Sequence, residues 1–527
     1  MDGRTPICFQ TFPKKATMTR YIISAAALLL FAACNKDISQ RSLPDFEPAS
    51  IESSGGNWKP ILLNAPADIV ISAPLDPSSA AYQQELSDII DLQSNISASD
   101  KKLIEKWKNS GVIRWNETAR KLVAIYNIPP EANPDGTYPA PNAQNPGVYP
   151  KFPFANPPYA SRAYAYLQVA LYDALVTTWH YKFLFNRMAP AANNASIKAL
   201  EPFQETLPSY PSEDAVVADV AYRLLKVMFP NDSVMLDQER TEQKRAKMLS
   251  GVASSSDILA GEAIAAQVAA TTLARYRTDG MGQAGGNPTL WKELQDAAVA
   301  RGLTMPWKSL ELPARPGMLP LFGNVKQFLI TTAQRDSLRP PPPPAIGSPE
   351  FKTALAEVKK MSEVKSGEVW RIAQLWSDGA ATYTPPGHWN EIACEAIAEA
   401  KFSELRTARA LALMNMAIFD AGVSCWDAKT YYWYPRPSQV DPSIKTIGLP
   451  NFPSYTSGHS TFSAAAATVL GYIFPAKAAE YRAMSLEAAE SRIYGGIHYR
   501  FDSEAGTACG DAIGSFAVKK GQADGSN

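Results

Sequence analysis

The run Arg409-Ala410-Leu411-Ala412-Leu413-Met414-Asn415-Met416-Ala417-Ile418-Phe419-Asp420-Ala421 decides the fold, because an earlier stretch parallels it: Arg162-Ala163-Tyr164-Ala165-Tyr166-Leu167-Gln168-Val169-Ala170-Leu171-Tyr172-Asp173-Ala174. In the earlier copy Leu167, Ala170, Leu171, Ala174 and Leu175 share one face at helical spacing. In the same register Trp179 matches Trp426, and Lys182 matches Lys429. Working outward, Pro208-Ser209-Tyr210-Pro211-Ser212-Glu213-Asp214 parallels Pro453-Ser454-Tyr455-Thr456-Ser457-Gly458-His459, and each run leads into a helix ending Phe-Pro, at Phe229-Pro230 and Phe474-Pro475. Asp257 with Ala260-Gly261 then parallels Asp502 with Ala505-Gly506. Helical periodicity also covers 80–127, 213–229, 257–277, 350–363, 389–424, 460–473 and 478–497, and period-two runs are scarce. The predicted fold class is all-α: two related helical bundles packed as one large domain.

The two copies differ in chemistry. Asp214 stands where His459 does, and Ala253 where His498 does, so the first half is read as degenerate. The second half carries three blocks within 75 residues: Lys429-x6-Arg436-Pro437, the Pro453–His459 run, and Ser491-Arg492-x5-His498-x3-Asp502. Lys429, Arg436 and Arg492 are three cations able to surround one tetrahedral oxyanion, the arginines through forked donors and the lysine as a compact charge. Ser457-Gly458-His459 opens an Ala-rich helix, whose start offers free backbone N–H groups to an anion. Gly458 permits close backbone approach, and Ser457 can donate its hydroxyl. The chain has only four histidines. Two of them, His459 and His498, lie in these blocks, and Asp502 follows His498 by one helical turn, where it can hold a proton on one ring nitrogen and leave the other as a lone pair.

These blocks resemble the signature shared by the vanadium-dependent haloperoxidases and the type 2 phosphatidic acid phosphatase (PAP2) superfamily, closest to the chloroperoxidase-like bacterial branch. For the haloperoxidases the resemblance implies a vanadate cofactor, with His498 as axial ligand of vanadium and Lys429, Arg436, Ser457, Gly458 and Arg492 on the vanadate oxygens. His459 would be the acid–base group, and hydrogen peroxide, a halide and a small organic acceptor the substrates. For the phosphatases it implies a phosphohistidine at His498 with His459 as general acid, so a soluble PAP2-type acid phosphatase is the enzymatic alternative. Trp426 and Phe452 stand where chloroperoxidase-type members carry aromatics near the halide, and Thr384-Pro385-Pro386-Gly387-His388-Trp389-Asn390 resembles a segment of bacterial members, which puts His388 at the pocket mouth or in a structural turn. A non-catalytic oxyanion-binding lipoprotein is the alternative of another class; retention of both histidines argues against it. Three cations around His498 suit an oxyanion rather than haem iron, so no haem is expected. His180, beside Trp179, is read as structural.

The remaining features set the context. With 51 basic and 51 acidic side chains among 527 residues, nothing favours nucleic acid as a partner. An apolar run from Tyr21 follows Lys14, Lys15 and Arg20 and ends Phe31-Ala32-Ala33-Cys34, like a bacterial lipoprotein cleavage site, with Met1 or Met18 as the start. The expected divisions are a lipoprotein signal peptide over 1–34 with Cys34 lipidated, a tether over 35–60, a degenerate half with a Pro-rich connection over 61–345, and a catalytic half over 346–527. The body is then expected outside the cytoplasm, held to a periplasmic or surface-exposed membrane face through the lipid anchor alone, with a homodimer left open. Arg339 and Pro340–Pro344 are read as a stiff spacer without a ligand. Cys394, Cys425 and Cys509 sit in apolar helical patterns and are read as buried thiols.

Overall fold

In the computed structural model residues 47–138, 153–364 and 366–526 are described, and all belong to one unit, Pro44–Asn527. The leader, Cys34 and the first part of the expected tether lie outside the described residues. Every regular element among the described residues is helical. In the first half α1 is Ala80–Ser94, α2 Ala98–Trp107, α3 Gly111–Tyr126, α4 Pro157–Phe185, α5 Glu213–Met228, α6 Ser233–Leu249, α7 Ser255–Thr278 and α8 Pro288–Ala300. In the second, α9 is Thr332–Leu338, α10 Pro349–Ser362, α11 Gly367–Leu375, α12 Thr384–Glu399, α13 Glu404–Tyr432, α14 Gly458–Ile473, α15 Ala478–Tyr494 and α16 Arg500–Gln522.

The repeated runs form α4 and α13, 29 residues each, which pack on each other at the centre. Asn156 and Ser403 cap their starts, and each ends in a left-handed residue, Asn186 or Trp433, whose N–H returns to the Lys182 or Lys429 carbonyl. Helix α13 is long and apolar enough to cross a membrane by composition, yet its apolar stretch is wholly buried in the protein. The single helix expected over 389–424 is two. Lys401 turns left-handed and Ser403 caps the next helix, so α12 ends at Glu399.

The duplication reaches further than the sequence reading. Trp115-Asn116-Glu117 on α3 has a counterpart in Trp389-Asn390-Glu391 on α12, and Trp107 and Trp376 pack on these tryptophans at 6.0 and 5.9 Å. Gly56-Asn57-Trp58-Lys59 likewise matches Gly323-Asn324-Val325-Lys326. Each run starts an extended strap whose glycine lies flat on the long helix of its half; a Cβ on Gly323 would sit 2.7 Å from the Asp427 backbone. Asp173 then accepts the N–H groups of Ile61, Leu62 and Leu63 at 2.6, 2.7 and 3.3 Å. Asp420 does the same for Phe328, Leu329 and Ile330 at 2.8, 2.6 and 3.3 Å. Each strap also reaches the other half. Lys59 N–H donates to the Asp524 carbonyl and Lys326 N–H to the Asp279 carbonyl, both at 2.8 Å. Asp524 and Asp279 in turn hold Arg409 and Arg162 at 2.7 Å.

These contacts correct two expectations. Residues 49–60 are not a loose tether: Ala49 bonds the Lys401 carbonyl, Glu52 pairs with Arg406 at 2.5 Å and Trp58 is buried. Nor is Pro340–Pro344 a bare spacer. Its carbonyls at Pro340, Pro341 and Pro344 accept the hydroxyls of Tyr432, Tyr455 and Tyr434 at 2.6, 2.6 and 2.7 Å, which ties the run to the outer face of the catalytic half. Cys394, Cys425 and Cys509 are free and buried, as expected.

Candidate oxyanion-binding active site

The site lies where α13, α14, α15 and α16 converge, and each element delivers its residue for a local reason. Lys429 sits in the last turn of α13, and the left-handed Trp433 then redirects the chain so that Arg436 turns back. Ser457 caps α14, accepting from the Ser460 N–H at 3.4 Å. Its own N–H donates to the Asp502 carbonyl at 2.9 Å, which joins the start of α14 to the start of α16. Helix α16 approaches α14 through a ridge of glycines; a Cβ on Gly510 would sit 2.3 Å from the Thr461 carbonyl. The same ridge hid this helix from the sequence reading, because Gly506, Gly510 and Gly514 lower helix propensity while permitting that contact.

His498 is buried, with Nδ1 2.8 Å from Asp502 Oδ2 and Nε2 3.0 Å from Arg436 Nη1. Arginine can only donate, so Nε2 is the acceptor and the proton resides on Nδ1, toward Asp502. The same Asp502 oxygen receives Ser454 Oγ at 2.5 Å and the Tyr499 N–H at 3.2 Å. His498 therefore presents a lone pair inside the cation cluster, with its tautomer held by a buried carboxylate. His459 meets the backbone of Ser377, and its Nε2 is buried without a partner. Burial first, and the neighbouring cations second, hold both histidines well below the ordinary histidine range, so both are neutral bases near pH 7.

The three cations are oriented by carbonyls. Lys429 Nζ donates to Pro453 O and Ser454 O, both at 2.9 Å, and to Thr456 O. Arg436 donates to Phe452 O at 3.0 Å and Ile497 O at 2.8 Å; Arg492 donates to Ala373 O at 3.0 Å. Burial lowers the pKa of all three. Among the described residues no carboxylate forms an ion pair with Lys429, Arg436 or Arg492.

The degenerate half supplies an internal comparison. Lys182 bonds Pro208 O as Lys429 bonds Pro453 O, and Ser212 N–H bonds Asp257 O as Ser457 N–H bonds Asp502 O. There, however, Glu213 occupies the position of Gly458 and pairs with Lys182 at 2.7 Å. Asp214, in the position of His459, lies 3.6 Å from Lys247, the counterpart of Arg492, which Glu201 also pairs at 2.8 Å. The first half neutralises its cradle with its own carboxylates. The second half leaves its cations without them, places a lone pair and a free imidazole nitrogen among them, and keeps open space at Gly458, where a Cβ would touch nothing closer than Phe462 at 3.8 Å. That is a fitting environment for a tetrahedral oxyanion. Among the described residues no His/Cys/Asp/Glu cluster suits a chelated metal ion.

The aromatic predictions fall beside the cradle. Phe452 lies 4.9 Å from Lys429 Nζ and 5.0 Å from Trp426. The Trp426 indole N–H is committed to Met318 O at 3.0 Å, so this residue contributes an apolar face rather than a donor. His388, one turn into α12, stacks on Trp376 at 4.6 Å and has Nδ1 3.2 Å from both oxygens of Asp378. Sequence reasoning missed the 373–378 segment, which supplies the Ala373 carbonyl, Trp376, the Ser377 backbone and Asp378; two of these four contacts use the backbone and leave no residue-type pattern. His180 stays with the degenerate half, against Tyr181 at 5.0 Å.

Residues 409–524 match the PAP2 superfamily model. A vanadium chloroperoxidase from Curvularia inaequalis is 32% identical over 130 residues, 18% of this chain and 21% of that protein, so the match spans about a fifth of that relative. Among solved structures, one described as the first bacterial vanadium-dependent iodoperoxidase aligns with a TM-score of 0.56 at 23% identity, over 77% of this chain and 96% of the other. An apo-type bacterial vanadium-dependent chloroperoxidase aligns with a TM-score of 0.50 at 15% identity, over 70% and 95%. The fold is shared with both.

Proposed function

We propose that this chain, a member of the PAP2 superfamily, is a vanadate-dependent haloperoxidase that uses hydrogen peroxide to oxidise a halide to a hypohalous species. The observation that carries the reading is His498 Nε2, an acceptor for Arg436 set among three buried cations that have no paired carboxylate, together with the buried, unpartnered His459 Nε2. Support for the peroxidase branch comes from the iodoperoxidase-like fold across both halves, the local identity to a chloroperoxidase, and the apolar face of Trp426 and Phe452 at the cradle.

His498 would hold the vanadium through Nε2 while Asp502 keeps the proton on Nδ1. Lys429, Arg436, Arg492, the Ser457 hydroxyl and the Gly458 N–H would hold the oxygens. Vanadate bound there supplies a Lewis-acidic centre that activates peroxide without a change of oxidation state. His459 Nε2, neutral and without a partner in the protein, would take a proton from hydrogen peroxide and return it to the departing oxygen. Phe452 and Trp426 keep bulk water off the cations and leave an apolar wall beside the site of halide attack.

The test is halogenation with bromide or iodide and peroxide by the anion-stripped protein, with and without orthovanadate, beside hydrolysis of a phosphomonoester without vanadate. Vanadate-dependent halogenation that His498→Ala abolishes is the expected result. Phosphatase turnover inhibited by vanadate, with no halogenation, assigns the same residues to phosphoryl transfer through a phosphohistidine and refutes the reading.

A further inference from the structure

Lys429 has no free proton for a ligand. An ammonium carries three donors, and Lys429 gives them to Pro453 O and Ser454 O, both at 2.9 Å, and to Thr456 O. To make a full hydrogen bond to an oxyanion it must release one carbonyl. The degenerate half shows the same lysine with an anionic oxygen on it. Lys182 keeps the Pro208 carbonyl, the counterpart of Pro453 O, and pairs with Glu213 at 2.7 Å. Among the described residues it has no bond to the carbonyls of Ser209 and Pro211, which stand in the places of Ser454 and Thr456. An anion beside Lys429 therefore draws it off one of those two. Two independent features of the cradle call for such an anion: Arg436, 1% exposed, holds Nη2 without a partner, and Gly458 leaves open space where Glu213 stands in the other half.

The two carbonyls differ in what a departing lysine leaves behind. Among the described residues Ser454 O has no other donor, whereas Thr456 O has one. Cys425, on α13 one turn before Lys429, directs its thiol to Thr456 O at 3.6 Å, and Thr456 Oγ1 donates back to the same sulfur at 3.5 Å. Both residues are buried. A buried carbonyl stripped of its donor is costly, and even a weak S–H bond lowers that cost. The arrangement is confined to the half that keeps its cradle. In the other half Thr178 stands in the place of Cys425, and its hydroxyl bonds Ala174 O within its own helix at 2.7 Å.

We propose that Cys425 is a positioning residue whose thiol takes over the Thr456 carbonyl when Lys429 turns to a bound oxyanion. This rests on reading the cradle as an oxyanion site, and it holds for vanadate and phosphate alike, so it does not depend on the peroxidase branch. Raman difference spectroscopy of the whole protein tests it, with equilibrium dialysis alongside to establish that the anion is bound. The S–H stretch of Cys425, assigned by its loss in Cys425→Ala, should move to lower frequency when orthovanadate or inorganic phosphate saturates the site, because the thiol becomes the sole donor to Thr456 O. Bound anion with an unmoved band overturns the proposal. Failure of both anions to bind overturns the oxyanion reading itself, and this proposal with it. Cys425→Ala should also bind orthovanadate roughly three- to thirtyfold more weakly, the worth of one buried carbonyl left without a donor. A folded Cys425→Ala protein with wild-type affinity would make Cys425 a packing residue alone and overturn the proposal as well.

Discussion

The degenerate half tells how to silence the active one. Glu213 fills the position of Gly458 and pairs with Lys182 at 2.7 Å, so Gly458→Glu should place a carboxylate on Lys429 in the same way. The backbone tolerates the change: Gly458 has no positive φ, and the nearest atoms to a Cβ there are Phe462 at 3.8 Å and Trp426 at 3.9 Å, ordinary contacts. An oxyanion would then have to break a buried ammonium–carboxylate pair, which costs about 3–5 kcal/mol. At about 1.4 kcal/mol per decade, affinity should fall by roughly 10²–10⁴. Stability should hold or rise, because Lys429 gains a counter-charge and a carboxylate in the first turn of α14 is worth about 0.3–1 kcal/mol. Equilibrium dialysis against orthovanadate and a thermal melt measure both effects. A folded Gly458→Glu protein that binds orthovanadate within tenfold of wild type would refute the reasoning that the cradle is built for a free oxyanion.

Asp502→Asn removes the carboxylate that keeps the proton on His498 Nδ1, and should cost about 10–100-fold in vanadate affinity or turnover; an unchanged titration with orthovanadate would contradict the tautomer assigned here. His459 and His498 are both depressed in the folded protein, so the unfolded chain binds more protons below the ordinary value of 6.5. Stability is therefore full above that pH and falls as pH drops through it, and replacing both histidines with Gln should flatten urea midpoints measured from about pH 7 down to pH 5. An unchanged slope in the double variant would count against neutral buried imidazoles. His388 is raised by its Asp378 partner against the opposing effect of burial, and its charge depresses His459, so His388→Gln should move the acid limb of the pH–rate profile upward. An unmoved limb would leave His388 as packing for Trp376. Asp420→Asn replaces one acceptor oxygen beneath the strap with an NH2 that cannot accept, and should destabilise by about 1–3 kcal/mol in urea titration near pH 7, with Asp173→Asn close to it if the halves are equivalent.

How much of this could be read beforehand follows from how each feature is encoded. Lys429, Arg436, Ser457, Gly458, His459, Arg492, His498 and Asp502 were legible because their spacing is fixed by helix ends and short loops, and the structure brings all eight together. Helices α4 and α13 were legible because their apolar periodicity runs for many turns. Helix α6 is dominated by charged and polar residues and α16 carries its glycine ridge, so neither shows a simple apolar stripe. The straps were hidden for another reason. They are extended and use backbone N–H groups, so Ile61–Leu63 and Phe328–Ile330 reveal their role only once Asp173 and Asp420 are seen beneath them.

The straps also decide whether the two halves are two domains. A boundary near residue 345 separates the two copies of the repeat along the sequence, but it leaves Phe328–Ile330 with the first half while the Asp420 carboxylate that binds them belongs to the second. Lys59 of the first strap likewise ends on Asp524, at the other end of the chain. Cutting at 345 would take from Asp420, buried in the whole protein, the three backbone N–H donors that satisfy it and the strap that covers it. It would also bare the face of α13 that packs on α4, which is apolar along its length. The degenerate half is thus retained for what it holds in place. Asp279 anchors the strap that clamps α13, and α13 is the helix that carries Lys429 into the cradle. Expressed alone, residues 346–527 should fail to fold, whereas addition of the strap from residue 320 should not rescue them, because Lys326 would still lack the Asp279 carbonyl and α13 its partner helix. A cooperative melt from either fragment would show that the catalytic half stands by itself and that the crossed straps are dispensable.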